Sequence, residues 1–110
     1  MKEILENADD FIEIAEHSMK KEKWNVAVAN YFRAIANVCD YLIYEKMSLL
    51  PKNHNERFDI LKKQLNQIYT KVFDLFILYR ESYNLKLTME DALKVQKTCD
   101  ELRRSAQNKS

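Results

Sequence analysis

Trp24-Asn25-Val26-Ala27-Val28-Ala29-Asn30-Tyr31-Phe32-Arg33-Ala34-Ile35-Ala36-Asn37-Val38-Cys39-Asp40-Tyr41-Leu42-Ile43 decides the fold class. Trp24, Ala27, Val28, Tyr31, Phe32, Ile35, Val38, Cys39, Leu42, Ile43 and Met47 recur at three- and four-residue spacings, so their side chains fall on one broad face of an α-helix. So wide a stripe belongs to a helix that touches more than one neighbour. It stops before Pro51, which cannot continue a helix and pushes Leu50 away from α geometry.

The same periodicity runs outward in both directions. Residues 2–22 place Ile4, Ala8, Phe11, Ile12, Ala15 and Met19 on one stripe, with acids early and Lys20, Lys21 and Lys23 late, as the helix dipole favours. A break is expected near Lys23, then a second helix over 24–48. Asn53 is a good N-cap for a third, with Glu56 in the capping-box position. Its stripe, Phe58, Leu61, Leu65, Ile68, Val72, Phe73, Phe76 and Tyr79, reaches about residue 83. A straight helix of that length would span about 45 Å, too long for a chain this size, so a kink is expected around Tyr69 to Asp74. Thr88 with Asp91 caps a fourth helix over 88–107. The short links at 48–53 and 84–88 favour antiparallel neighbours. The expectation is one all-α domain over 1–110, an antiparallel up-down bundle of four helices, or five if the third breaks.

Composition agrees. The chain has 110 residues, no glycine and one proline, and without glycine neither hairpins nor phosphate-cradling loops are expected. A chain of this length buries about 60–70% of its unfolded surface, enough for one core without disulfide or metal. Cys39 and Cys99 read as buried free thiols, which with the acidic N-terminus suggests a reducing cytoplasm. The most apolar window, Val72 to Tyr79, is interrupted by Asp74 and is too short to span a membrane.

The net charge is +1, so no global basic field announces nucleic acid. Locally, residues 1–16 carry Lys2 against six acids, a net of −5, and residues 46–63 carry five bases against Glu56 and Asp59, a net of +3.

Few residues offer chemistry. His54 and Arg57, three apart, share a helix face and could jointly meet a phosphate. Arg33 interrupts an apolar run and Arg80 follows Leu78-Tyr79. Each must reach the surface, pair with a carboxylate (Asp40 and Glu81 are at hand) or line an anion or RNA site. His17 reads as a surface side chain. Tyr41 and Tyr44, beside Met47, suit a helical dimer seam. The two histidines and two cysteines have no metal-ligand spacing, and no cofactor motif appears. Asp9-Asp10 and Glu90-Asp91 suit helix N-termini better than catalysis.

Three further stretches matter beside the opening one: Leu50-Pro51-Lys52-Asn53-His54, Leu78-Tyr79-Arg80-Glu81-Ser82-Tyr83-Asn84 and Thr88-Met89-Glu90-Asp91-Ala92. In that order the four resemble the second helix, the following proline-lysine loop, the leucine-tyrosine-arginine segment and the last helix of small HEPN domains. The resemblance implies a four- to five-helix bundle that dimerises, and many members partner a small nucleotidyltransferase in toxin–antitoxin modules. Other members are ribonucleases with an Arg-x4-6-His motif. Here no histidine stands at that spacing after Arg33, Arg57, Arg80, Arg103 or Arg104, so ribonuclease activity is not implied.

The expectation is therefore a non-catalytic HEPN-like binding module, a homodimer with a nucleotidyltransferase as candidate partner. The alternative is a divergent, metal-independent ribonuclease or nucleotide-binding protein using His54, Arg57 and Arg80. Trp24, Ala27, Tyr31 and Ala34-Ile35 also echo one tetratricopeptide unit, leaving a helical adaptor as a third reading.

Overall fold

The computed structural model describes residues 2–109, with side chains up to residue 106. Five helices follow one another: α1 (Lys2–Lys20), α2 (Trp24–Met47), α3 (His54–Gln64), α4 (Asn66–Glu81) and α5 (Met89–Lys109). No strand occurs among the described residues, and no described helix is long and apolar enough to cross a membrane.

The helix α2 is the axis of the molecule, packed against all four others. Its wide stripe is the reason: Val28, Tyr31, Phe32, Ile35, Val38, Cys39 and Ile43 are all essentially inaccessible to solvent. Ala8 and Ala15 of α1, with Ala27 and Ala34 of α2, are also fully buried, and such small side chains permit close helix approach. Polar bonds tie the outer helices in place. Gln96 of α5 donates to the Tyr31 hydroxyl at 2.8 Å, and Arg103 grips Asp9 of α1 with two bonds of 2.7 and 3.1 Å. One core gathers residues from all five helices.

With no glycine available, two other residues among those described occupy the left-handed region where helices end. Glu22 closes α1 at φ 56°, with Lys23 N–H bonded to the Ser18 carbonyl and Glu22 N–H to that of Met19, the two bonds of a Schellman motif. Ser48 closes α2 at φ 56°, its N–H on the Tyr44 carbonyl. Both expected N-caps form. Asn53 Oδ1 accepts from Glu56 N–H at 2.9 Å, and Thr88 and Asp91 exchange side-chain-to-backbone bonds of 3.2 and 2.9 Å.

The long third helix breaks, but at Leu65 (φ −139°, ψ 57°) and not at Tyr69–Asp74. Neither proline nor glycine marks the place. The bend folds α3 back onto α4, so that the Phe58 ring meets Tyr69, Phe73 and Phe76 at 6.4, 5.4 and 5.0 Å. These pairs are lost in a straight helix. Carbonyls freed at the end of α3 find side chains, with Lys46 Nζ on Gln64 and Asn66 Nδ2 on Lys62. The bend also keeps the longest dimension of the molecule to 38 Å.

Asn25, in the first turn of α2, organises the connection between α4 and α5. Its side-chain amide donates to the carbonyls of Ser82 (2.8 Å) and Leu85 (2.6 Å), and its oxygen accepts from Leu87 N–H (2.9 Å).

Candidate functional site

The bend brings His54, Arg57, Arg33 and Arg80 around one wall of rings formed by Phe32 of α2 with Phe76 and Tyr79 of α4. Phe32 stacks on Tyr79 at 4.9 Å and lies 5.7 Å from Phe76. The His54 ring, half-buried in the first turn of α3, sits 5.0 Å from Phe76, 5.9 Å from Tyr79 and 6.2 Å from Phe32.

Arg57 is the hub of the polar part. Its Nε and Nη2 donate to the two carboxylate oxygens of Asp40 at 2.7 and 3.0 Å, a side-on bidentate pair. Side-chain exposures of 11% and 17% place this pair largely out of water. Its third nitrogen, Nη1, lies 2.7 Å from Nδ1 of His54. A guanidinium can only donate, so Nδ1 is the acceptor and the imidazole proton sits on Nε2. Asp40, Arg57 and His54 thus form a hydrogen-bonded chain between α2 and α3, with Arg57 in the middle. Burial pushes the His54 pKa below its ordinary value of 6.5, Arg57 adds to that, and Asp40 opposes it.

This arrangement sets what the imidazole can do. While the Arg57 bond holds, neither ring nitrogen has a free lone pair, so His54 cannot take a proton as a general base. Asp40 was expected as a partner for Arg33 or Arg80, and instead it holds Arg57.

Arg33 takes a different set of neighbours. Its Nη1 donates to Asn30 Oδ1 at 3.2 Å, and its positive charge lies near the hydroxyls of Tyr79 and Tyr83 and favours their ionised forms. Those hydroxyls lie 2.9 Å apart. The Tyr79 phenol is pushed up by burial, whereas the hydrogen bond shared with Tyr79, with help from the Arg33 charge, holds the exposed Tyr83 phenol below its ordinary range. One helical turn below Arg33, Asn37 keeps its Nδ2 buried without a hydrogen-bond partner among the described residues. Arg80 is exposed and reaches the wall through the Phe76 ring, 5.9 Å from its guanidinium carbon, without an ion pair to Glu81.

The remaining candidates lie elsewhere. Tyr41 is buried in the core, its hydroxyl donating to Glu45 at 3.1 Å, while Tyr44 and Met47 are half-buried toward the end of α2. His17 is exposed on α1. Cys39 and Cys99 are free and buried, and burial pushes each thiol up to about 12. Among the described residues no group of three or more His, Cys, Asp or Glu side chains could hold a metal ion.

Two features escaped the sequence reading. Asp40 precedes Arg57 by seventeen residues across a link, so only its position inside an apolar stripe hinted at a partner. The second is an apolar strip on the outer face of α4, where Phe73 is 41% and Ile77 50% exposed, continued by Leu85 at 54%. Separately, a groove of about 650 Å³ lies where α2 ends, at the α3–α4 bend and beside α5, with Leu42, Leu65, Ile68 and Leu102 among its walls. No protein-family model, no curated protein and no solved structure matches the chain.

Proposed function

We propose that the chain is a non-catalytic binding module with a HEPN-like, antiparallel up-down bundle, working in the cytoplasm. In this reading it self-associates and partners a nucleotidyltransferase in a toxin–antitoxin-type pair. One observation carries the non-catalytic part: Asp40 and His54 both bond Arg57, and the His54 Nδ1 lone pair is engaged by its guanidinium. The residues best suited to acid–base chemistry are consumed in holding α3 against α2. The outer strip of Phe73, Ile77 and Leu85 supports association, since clustered exposed apolar side chains are where proteins meet partners. The test is light scattering on the purified chain, with mass spectrometry of what co-purifies from the native host. A dimer, or a stoichiometric nucleotidyltransferase, is expected; a strict monomer that brings down no protein defeats the proposal.

A second reading, RNA or nucleotide contact, draws on the Arg33–Tyr79–Tyr83 group and on Arg80, which combine cationic donors with ring faces. A ribonuclease of this kind needs metal-independent cleavage that disappears in His54→Ala, and unchanged cleavage in that variant rules it out. The tetratricopeptide-type adaptor draws less support, because such scaffolds stack repeated helix pairs and here one core unites all five helices.

A further inference from the structure

We propose that His54 is a pH-operated latch: protonation of its Nδ1 breaks the Arg57 bond, frees the first turn of α3 and uncovers the rings of Phe76 and Tyr79. The reason is geometric. Nδ1 is 2.7 Å from a guanidinium nitrogen that can only donate, so a proton on Nδ1 and this contact exclude one another. Arg57 cannot easily turn aside, because Asp40 holds its other two nitrogens at 2.7 and 3.0 Å. The element that yields is therefore the imidazole, which opens α3 just after a short connection and carries only the first helical turn with it.

The groups facing His54 do little to rescue its charged form. From its own helix it meets Arg57. From α2 it meets Phe32 and, beyond the guanidinium, Asp40, whose charge is already spent on Arg57. From α4 it meets Phe76 and Tyr79, with Arg80 lying over the Phe76 ring. Its place in the first turn of α3 adds the positive end of the helix dipole.

The direction with pH follows. The folded pKa of His54 lies below the ordinary 6.5, with burial the chief cause. The unfolded or released state therefore binds the proton more readily. The latch is fully closed above pH 6.5, and its stabilisation is lost as pH falls from there to the lower folded value.

The test is amide hydrogen exchange across residues 54–58, beside an NMR titration of both imidazoles in the intact chain, with the exposed His17 as the reference signal. In the wild type, protection of these amides is expected to hold above pH 6.5 and to fall below it, in step with protonation of His54, while α2 and α5 keep theirs. His54→Gln, whose side-chain oxygen accepts from Arg57 without titrating, is expected to hold its protection over the same range. Should the variant fail to fold, the wild-type titration alone decides. Protonation of His54 without loss of protection in residues 54–58 overturns the proposal, as does equal loss in wild type and His54→Gln.

Discussion

Replacing Asp40 by alanine leaves the Arg57 guanidinium with two nitrogens and no carboxylate. Breaking one half of a fully buried ion pair costs about 3–5 kcal/mol, because the surviving charge stays desolvated. Side-chain exposures of 11% and 17% let some water reach this pair, which reduces the expected loss to about 2–3 kcal/mol. For a chain of 110 residues, at about 2.1 cal/mol/K of unfolding entropy per residue, each kcal/mol moves Tm by about 4 °C. Asp40→Ala should therefore melt about 9–13 °C below wild type. Thermal unfolding by circular dichroism reads this directly. Asp59→Ala is the control, since its partner Lys63 and Asp59 itself are 67% and 59% exposed, and exposed pairs of this kind contribute little. The double variant Asp40→Leu with Arg57→Met should recover much of the loss, because it removes both charges together. A drop of less than about 2 °C for Asp40→Ala, or equal effects at Asp40 and Asp59, would refute the claim that this pair anchors α3.

Other expectations can be checked with the same apparatus. Asn25→Ala removes three bonds to residues 82–87 and should cost about 2 kcal/mol, with faster hydrogen exchange confined to that connection. Glu22→Gly relieves a left-handed residue that carries a Cβ and should raise stability by about 0.5–1 kcal/mol; a lower Tm would show that the turn is unstrained. Leu61→Ala, at a fully buried position between α3 and the core, should cost about 2–5 kcal/mol in denaturant unfolding. Cys39 and Cys99, with thiols pushed up to about 12, should resist a thiol reagent at pH 8 in the native state and react fully once unfolded. Rapid native labelling of either would contradict their burial.

The helical architecture was legible because apolar periodicity and capping chemistry are local. Asn53 with Glu56 and Thr88 with Asp91 announced two helix starts that the structure contains. The bend at Leu65 was not legible, since its cause is the meeting of Phe58 with rings on α4, a tertiary gain that no local residue encodes. The left-handed residues Glu22 and Ser48 were hidden for a related reason. Glycine normally marks such positions, and in its absence the helix ends impose the conformation on residues that do not favour it. At the site, the three-residue spacing placed His54 and Arg57 on one helix face as a pair for a phosphate, but it did not announce that they bond each other. The choice of Asp40 as carboxylate partner depended on how α3 docks, and Arg33 bonds Asn30, three residues before it, where a carboxylate was one expectation.

The most direct test of the binding-module reading is the mass of the chain in solution, measured by light scattering on wild type and on Ile77→Asp, each with host proteins that co-purify identified. A wild-type particle of twice the single-chain mass, or one holding a second protein in equal amount, is the expected result. In that case Ile77→Asp should weaken the assembly without lowering Tm, because Ile77 is half exposed on its outer face. A wild-type chain that stays monomeric across micromolar concentrations and brings down no partner contradicts the reading.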